Sequence, residues 1–224
     1  MIPAARHRGQ MIERQSRGSR LVLVRHGETE GESSIRYHGR TDVALSELGR
    51  AQMRLAGRAL QTHPGGGSFA RVFSSPLVRA SEGARIVAGD LAPLLTIDEF
   101  AEVHFGLFEG LTADEIRQRY PDEFARWNAD RLAPGYTYPA GESRAAFANR
   151  VERGLERMLA LWTPRGDAEC DDALLIAHRG VIRAIVQKLT RQEPVVELGS
   201  IQILRFDGGW HAEMLDLIDH LVGS

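Results

Sequence analysis

The stretch LVLVRHGET (residues 21–29) joins a short apolar run to a polar cluster. A continuous apolar run of this length is typical of a strand that is buried on both faces of a parallel sheet. Ligands bind beyond the carboxyl ends of such strands. The sequence therefore predicts a buried strand over residues 21–24 that leads directly into a functional loop.

Strands and helices are predicted to alternate through the rest of the chain. Amphipathic stretches predict helices over about 46–61, 75–88, 143–162 and 181–189. Apolar runs predict strands at 71–73, 94–97 and 173–177, followed by a terminal hairpin of 201–206 and 210–214. This alternation indicates an α/β fold, namely a three-layer α/β/α sandwich around a mostly parallel sheet.

Two regions differ from this pattern. Residues 1–20 contain five arginines against one acid and are predicted to form a flexible basic extension, which leaves 21–224 as the folded domain. Residues from about 100 to 140 are less regular. They include the capping-box pattern Thr112-x-x-Glu115 and a loop at 133–141 that is rich in Pro, Gly and Tyr. We expect this region to be a small helical cover over one end of the sheet.

The charge balance excludes two broad classes of protein. Lys and Arg total 28 and Asp and Glu total 30, a formal net charge of −2, which argues against a nucleic-acid-coating protein and against an acidic disordered chain. No apolar run approaches the roughly 20 residues of a membrane span, and no signal-peptide core is present. The single cysteine, Cys170, allows no intrachain disulfide. We expect a cytoplasmic protein without nucleic-acid or membrane partners.

The string RHGET (residues 25–29) is the strongest chemical signal in the chain. Arginine offers a forked donor that matches phosphate oxygens, histidine can act as a nucleophile, and glycine lets the backbone approach a ligand. An Arg-His pair alone is more often a capped strand end with a surface ion pair. At equal residue frequencies, the whole string has odds of chance occurrence on the order of one in ten thousand, so it is a specific motif.

RHGET after an apolar strand resembles the signature of the histidine phosphatase superfamily, which has the phosphoglycerate-mutase-like fold. SSPLVRA (residues 74–80), PAGES (139–143) and LLIAH (174–178) are similar to further motifs of that family. The resemblance covers about residues 21–221 and is nearest to the branch of broad-specificity and α-ribazole-phosphate phosphatases. It implies that His26 is a nucleophile that forms a phosphohistidine, that Arg79 binds phosphate, that His178 is the second histidine of the site, and that no metal is required.

The chemistry of these residues agrees with a phosphate pocket. A phosphomonoester carries up to two negative charges, and the guanidinium groups of Arg25 and Arg79 stay protonated beside it. Arg79 is expected in the first turn of a helix that begins near Pro76, and His178 directly before another helix. Because helix N-termini favour anions, we expect both helix ends to converge on one phosphoryl group together with the arginines and histidines.

The leaving alkoxide needs a proton, and Glu102 is the predicted donor. It matches the general acid of the family within AEVHFGLFEG (residues 101–110). Glu99 and Glu109 are competing acids that chemistry alone does not separate from Glu102. The alternative for Glu102 is a solvated loop acid.

Three residues are predicted substrate contacts. Thr29 offers a hydroxyl, and Arg40 is expected near the mouth of the pocket, with a surface ion pair to Asp42 as the equal alternative. Arg179 stands where many relatives have glycine, so it either binds an acidic substrate or forms a salt bridge to the sheet edge. Glu32 stands where many relatives have a phosphate-binding asparagine and is left out of the predicted site.

The sequence thus predicts a metal-independent phosphomonoester hydrolase that acts through phospho-His26 on a small phosphorylated metabolite and releases inorganic phosphate. No cofactor and no metal are predicted, because no His/Asp/Glu/Cys cluster has metal-ligand spacing. A cofactor-dependent phosphoglycerate mutase is the alternative enzyme, although mutases usually carry RHGQS and a longer insertion before the second histidine. The alternative from another class is a non-catalytic scaffold that binds phospho-ligands.

Overall fold

The computed structural model describes residues 18–31, 35–63, 67–89, 93–164 and 171–222. Within these residues six strands form one sheet: β1 (Ser19–Arg25), β2 (Arg71–Ser74), β3 (Leu94–Thr96), β4 (Ala173–Ala177), β5 (Ile201–Phe206) and β6 (Trp210–Leu217). Their order across the sheet is β3-β2-β4-β1-β5-β6. The first four in that order run parallel, and β5 is antiparallel to β1 and β6, so the sheet is mostly parallel, as predicted.

The helices of the described residues are α1 (Glu47–Thr62), α2 (Val78–Ala88), α3 (Ala113–Arg119), α4 (Pro121–Asp130), α5 (Arg144–Leu161) and α6 (Arg179–Thr190). Single 3₁₀ turns lie at Asp98–Phe100, Gly106–Phe108 and Asp219–Leu221. The side chains of Ser46 and Ser143 cap α1 and α5, and Thr112 forms the predicted capping box with Glu115 at α3. None of the described helices is long and apolar enough to cross a membrane.

Two helices begin at residues other than the predicted ones. α2 begins at Val78 rather than Pro76, because the Ser75 hydroxyl, predicted as the N-cap, is hydrogen-bonded to His178 Nε2 (2.7 Å) and does not cap the helix. α6 begins at Arg179 rather than near residue 181, since the extended backbone of His178 already occupies the N-cap position. α2 therefore begins later in the chain than predicted, and α6 begins earlier.

β1 begins two residues before the predicted strand. Ser19 and Arg20 were assigned to the basic extension, but they are the first residues of β1 and are buried. Arg20 donates through Nε to Asp172 at 3.0 Å, so its charge is balanced inside the fold. The rest of the predicted extension, residues 1–17, lies outside the described residues, as do Glu32 and Cys170.

Helices pack on both faces of the sheet. Successive residues of β1 point to opposite faces, so Leu21 and Leu23 pack with α5 and α6, while Val22 and Val24 pack with α1 and α2. The fold is therefore the predicted three-layer α/β/α sandwich. The helices α3 and α4 lie within the segment that was predicted as a cover.

Three neighbouring strands end at the same edge of the sheet. The parallel register aligns Arg25 at the end of β1 with Ala177 at the end of β4. His26 and His178 follow these residues, and Ser75 follows β2, which pairs with β4 on its other side. The topology thus brings three polar side chains from distant parts of the sequence to one place.

Candidate active site

Two buried histidines face each other at this edge of the sheet. The ring centroids of His26 and His178 lie 5.0 Å apart, with an interplanar angle of 64°. The two residues are 5% and 1% exposed. Burial, reinforced by the charge of Arg79, holds the pKa of both rings well below the usual value for histidine, so both are neutral at pH 7.

Each neutral ring forms one hydrogen bond, and the one at His26 assigns its tautomer. His26 Nδ1 lies 2.7 Å from the carbonyl oxygen of Gly27, which can only accept, so Nδ1 carries the proton and Nε2 keeps its lone pair. His178 Nε2 lies 2.7 Å from the Ser75 hydroxyl. That hydroxyl also accepts the N–H of Leu77 at 3.3 Å. It has one proton and two lone pairs, so either tautomer of His178 satisfies the contact: the ring proton lies on Nδ1 when the hydroxyl donates to Nε2.

The loop that carries His26 packs on the start of α1 through two glycines. A Cβ on Gly27 would overlap the backbone of Gly49, and a Cβ on Gly49 would overlap the carbonyl oxygen of Glu28. Ser46, the N-cap of α1, donates its hydroxyl to the Glu28 carboxylate at 2.6 Å. The helix therefore fixes the backbone directly after His26, and this close approach explains the glycine of the RHGET string.

Arg79 is a buried cation that backbone carbonyls hold in place. Its Nη1 donates to the carbonyl of Thr41 at 2.8 Å, and its Nη2 donates to that of Gly39 at 2.7 Å. Burial lowers the pKa of Arg79, and the nearby carboxylates of Glu102 and Asp42 oppose that shift. The Nε atom is buried and has no partner among the described residues.

Arg25 is a second cation at the same place. Its Nη1 donates to the carbonyl of Val196 at 3.0 Å. Burial lowers the pKa of Arg25 to about 10, so the side chain remains charged at neutral pH. Its Nε atom, like that of Arg79, is buried without a partner in the described part of the chain.

Glu102 lies against the N-terminus of α6. Its two carboxylate oxygens accept the N–H of Val103 (2.9 Å) and the N–H of Gly180 (3.0 Å). A Cβ on residue 180 would lie 2.5 Å from Glu102 Oε1, so glycine there lets the carboxylate reach the helix. Glu102 is 9% exposed, and its charge acts to raise the pKa of both Arg25 and Arg79. It is therefore not a solvated loop acid.

The two competing acids have other partners. Glu109 accepts three backbone N–H groups at 2.9–3.0 Å, those of Arg40, Thr41 and Phe105. It thereby holds the loop whose carbonyls bind Arg79. Glu99 forms an ion pair with Arg157 on α5 at 3.3 Å. Of the three acids, Glu102 is thus the one whose carboxylate neither holds the loop around Arg79 nor pairs with a surface arginine.

Each helix N-terminus at the site has one N–H bound to a carboxylate of the chain. The Val78 N–H at the start of α2 donates to Asp42 at 2.8 Å, as Gly180 does to Glu102 in α6. These two N–H groups are therefore satisfied within the chain, and the prediction that both helix ends turn toward a phosphoryl group concerns the other N–H groups of each first turn. Asp42 caps α2 and does not form the alternative ion pair that was considered for Arg40.

The predicted substrate contacts lie in three different settings. Thr29 is buried, at 1% exposure, within the loop that follows β1. Arg40 is exposed, with its guanidinium 3.8 Å from Glu142. Arg179 is also exposed, and its Nε donates to the carbonyl of Val195 at 3.2 Å. Arg179 forms no salt bridge with an acid within the ranges that the structure describes.

A buried ion pair supports the site and was not predicted. Glu142, in the PAGES stretch, lies 2.7 Å from Arg150 of α5. Arg150 also donates to the carbonyls of Glu99 and Ala101, both at 2.7 Å, and so fixes the chain just before Glu102. The motif drew attention to Glu142, but its partner lies on a helix that shares no sequence pattern with it.

The chain belongs to the histidine phosphatase superfamily (branch 1), which it matches over residues 21–212. It is 39% identical over 142 residues to a bifunctional protein of Mycobacterium tuberculosis, a match that covers 63% of this chain and only 37% of that protein. It is 32% identical over 171 residues to the adenosylcobalamin/alpha-ribazole phosphatase of Salmonella typhimurium, covering 76% and 79% of the two chains.

A solved structure extends the likeness to the fold. YhfR of Bacillus stearothermophilus superposes with a TM-score of 0.74 and 28% identity, over 91% of this chain and 99% of that one. The predicted family and the predicted fold are thus confirmed. The relatives of this chain include enzymes named as phosphatases.

Proposed function

We propose that this protein is a metal-independent phosphomonoester hydrolase that acts on a small phosphorylated metabolite through a phosphohistidine at His26. The main support is a set of three buried polar atoms without partners among the described residues: Arg25 Nε, Arg79 Nε and His178 Nδ1. Each unpaired buried donor costs about 1–3 kcal/mol. The oxygens of a phosphoryl group beside His26 would accept from all three.

Charge complementarity supports the same ligand. A phosphomonoester brings up to two negative charges, and Arg25 and Arg79 remain cationic although both are largely buried. Their forked donors suit the equatorial oxygens on which charge is spread during phosphoryl transfer. No group of three His, Cys, Asp or Glu side chains within the described ranges could hold a metal ion. The arginines would supply the positive charge that a metal supplies in other phosphatases.

In the first step the lone pair of His26 Nε2 attacks phosphorus. A P–N bond forms, the ester P–O bond breaks, and the leaving oxygen takes a proton from the acid form of Glu102. The hydrogen bond from His26 Nδ1 to the Gly27 carbonyl holds the attacking nitrogen in place and stabilises the positive charge that develops on the ring.

In the second step water attacks the phosphohistidine. The Glu102 carboxylate accepts a proton from the water, an O–P bond forms, and the P–N bond breaks to return neutral His26 and inorganic phosphate. The N–H groups of Val103 and Gly180 keep the carboxylate oriented in both steps. His178 would donate through Nδ1 to a phosphoryl oxygen throughout.

The test is turnover of nitrophenyl phosphate and a panel of phosphorylated metabolites by protein treated with EDTA. We expect the wild type to release inorganic phosphate without added metal, and His26→Ala to lose at least about 10⁴-fold in kcat, as nucleophile removal does in other covalent enzymes. His211→Ala is the matched control, because His211 is an exposed histidine on β6, remote from the site.

Three results would overturn the proposal. Activity that EDTA abolishes and Zn²⁺ or Mg²⁺ restores would mean metal chemistry. Wild-type protein that binds vanadate but hydrolyses nothing in the panel would mean a phospho-ligand scaffold. Rearrangement of phosphoglycerate without release of phosphate would identify a mutase instead.

A further inference from the structure

Two arginines donate to neighbouring carbonyls of one short segment. Arg25 Nη1 donates to the carbonyl of Val196 at 3.0 Å, and Arg179 Nε donates to that of Val195 at 3.2 Å. The segment thereby holds two guanidinium groups beside each other, one inside the site and one at its rim. Burial is the main cause of the lowered pKa of Arg25, and the positive charge of Arg179 adds to it.

This segment is held in a strained conformation. Val196 has a φ of +62°, which is rare for a β-branched residue and is strained. The carboxylate of Asp216 accepts the N–H of Val195 at 2.8 Å and the N–H of Val196 at 2.9 Å. The backbone amides therefore point to Asp216, and the two carbonyls are left for the two arginines.

Arg179 combines a fixed position with free donors. Its Nε is bonded to the segment, but its side chain is exposed and forms no ion pair within the described part of the chain. It lies beside Arg25, because the two side chains donate to the carbonyls of the adjacent residues Val195 and Val196. The nearest catalytic acid, Glu102, is already bonded to the backbone of α6.

We propose that Arg179 binds a second anionic group of the substrate, a carboxylate or a further phosphate, next to the phosphoryl group that Arg25 holds. This assignment rests on the proposed function of the site. It narrows the substrate class to phosphomonoesters whose alcohol portion carries an acid within a few bonds of the ester oxygen. A forked guanidinium held at one nitrogen presents its two terminal nitrogens to such a group.

The experiment measures binding with phosphonates, whose P–C bond is not hydrolysed. Phosphonoacetate is compared with ethylphosphonate, and 3-phosphonopropionate with propylphosphonate, by isothermal titration calorimetry at low and at physiological salt. Within each pair a carboxylate replaces a methyl group, so the ratio of the two Kd values isolates the second anion. The two chain lengths cover two distances between the acidic groups.

Four proteins are compared: the wild type, Arg179→Gln, Arg179→Lys and the control Arg183→Gln. Arg183 is an exposed arginine one turn further along α6, in a long-range ion pair with Glu193 at 3.8 Å. We expect the wild type to prefer the carboxylate ligand of at least one pair by about 5- to 20-fold, the range for a charged hydrogen bond partly screened by solvent. Arg179→Gln should abolish that preference, Arg179→Lys should retain part of it, and Arg183→Gln should leave it unchanged.

An equal ratio in the wild type and Arg179→Gln, or no preference in the wild type, would overturn the proposal. The ratio does not depend on turnover, so the two proposals can fail separately. If the wild type prefers the carboxylate ligand but hydrolyses no ester, the proposed second-anion site stands and the proposed phosphatase activity is wrong. If the wild type hydrolyses nitrophenyl phosphate but shows no preference within either pair of phosphonates, the phosphatase activity stands and the second-anion site is wrong.

Discussion

The carboxyl edge of the sheet and the cover differ in how their side chains are held. At the sheet edge His26, Arg79 and His178 are almost wholly buried, and each is bonded to a backbone carbonyl or to a neighbouring hydroxyl. In the cover α4 has no buried residue, and Trp127 meets the ring of Tyr37 at 6.0 Å, edge to face. One region relies on directional hydrogen bonds and the other on aromatic packing.

This contrast separates the chemical step from the choice of substrate. Hydrogen bonds to strand ends fix atoms to within a few tenths of an ångström, which phosphoryl transfer requires. Edge-to-face aromatic contacts contribute about 0.5–1.5 kcal/mol each and can repack when a side chain changes. We therefore expect substitutions at the sheet edge to lower the rate of the reaction, and substitutions in the cover to alter which esters react.

Glu102→Gln should have the largest effect among the predictions that sharpen this contrast. A general acid matters most when the leaving group is poor, so an alkyl phosphate should lose roughly 10²–10⁴ in rate. An aryl phosphate with an acidic phenol should lose much less. Steady-state kinetics with the two esters measures the difference directly.

Glu99→Gln provides the matched control, because Glu99 lies three residues earlier and pairs with Arg157 outside the site. It should leave both rates within about twofold of wild type, as is usual for an exposed ion pair. Equal losses on alkyl and aryl esters in Glu102→Gln would mean that Glu102 positions the site without donating a proton.

The dependence of stability on pH should reflect the two buried histidines. Their folded-state pKa values are lowered, so as the pH falls below about 6.5 the unfolded chain takes up protons before the folded chain does. Their contribution to stability is complete above that pH and is lost toward the lowered pKa, at up to about 1.4 kcal/mol per pH unit for each histidine.

Urea denaturation at pH 7.5 and 5.5 tests this sign. His178→Gln should make the free energy of unfolding less dependent on pH than in the wild type, because one buried histidine is absent. His211→Gln, at an exposed position on β6, is the control for loss of a histidine outside the site. Identical pH dependence in wild type and His178→Gln would contradict the picture of two neutral, buried rings.

Trp127→Leu should have the smallest effect and should act on selectivity. Trp127 contacts five of the described residues, none of which is His26, Arg79 or His178: Tyr37, Phe108, Phe124, Arg131 and Tyr138. We expect kcat/KM to change by up to about tenfold, by different factors for different esters, while the inhibition constant for vanadate stays within about twofold. A uniform loss on every ester, with weaker vanadate binding, would mean that the cover supports the chemistry itself.

The sequence predicted the sheet edge better than its surroundings. RHGET and His178 each follow a strand with a clear apolar pattern. Arg79 and His178 were joined to the predicted site by the resemblance to the histidine phosphatase superfamily, since each residue alone was more often structural. The polarity of Ser75 suggested a helix cap, but the hydroxyl bonds to His178, which comes 103 residues later. Local capping propensity cannot anticipate a competing partner from another strand.

The contacts that support the site could not be predicted from the sequence, for a related reason. The Glu142–Arg150 pair and the bonds from Asp216 to the Val195–Val196 segment join residues that share no local spacing. A residue with positive φ that is not glycine, such as Val196, leaves no signature in the sequence. These positions follow only from tertiary packing around the site.

The central claim is that His26 carries the phosphoryl group during turnover. Its most direct test is rapid quenching of the wild type with a ³²P-labelled substrate, followed by mapping of the labelled peptide. We predict an acid-labile, base-stable phosphoenzyme on the peptide that contains His26, absent from His26→Ala and present in His211→Ala. Label on another residue, or normal turnover by His26→Ala, would contradict the account.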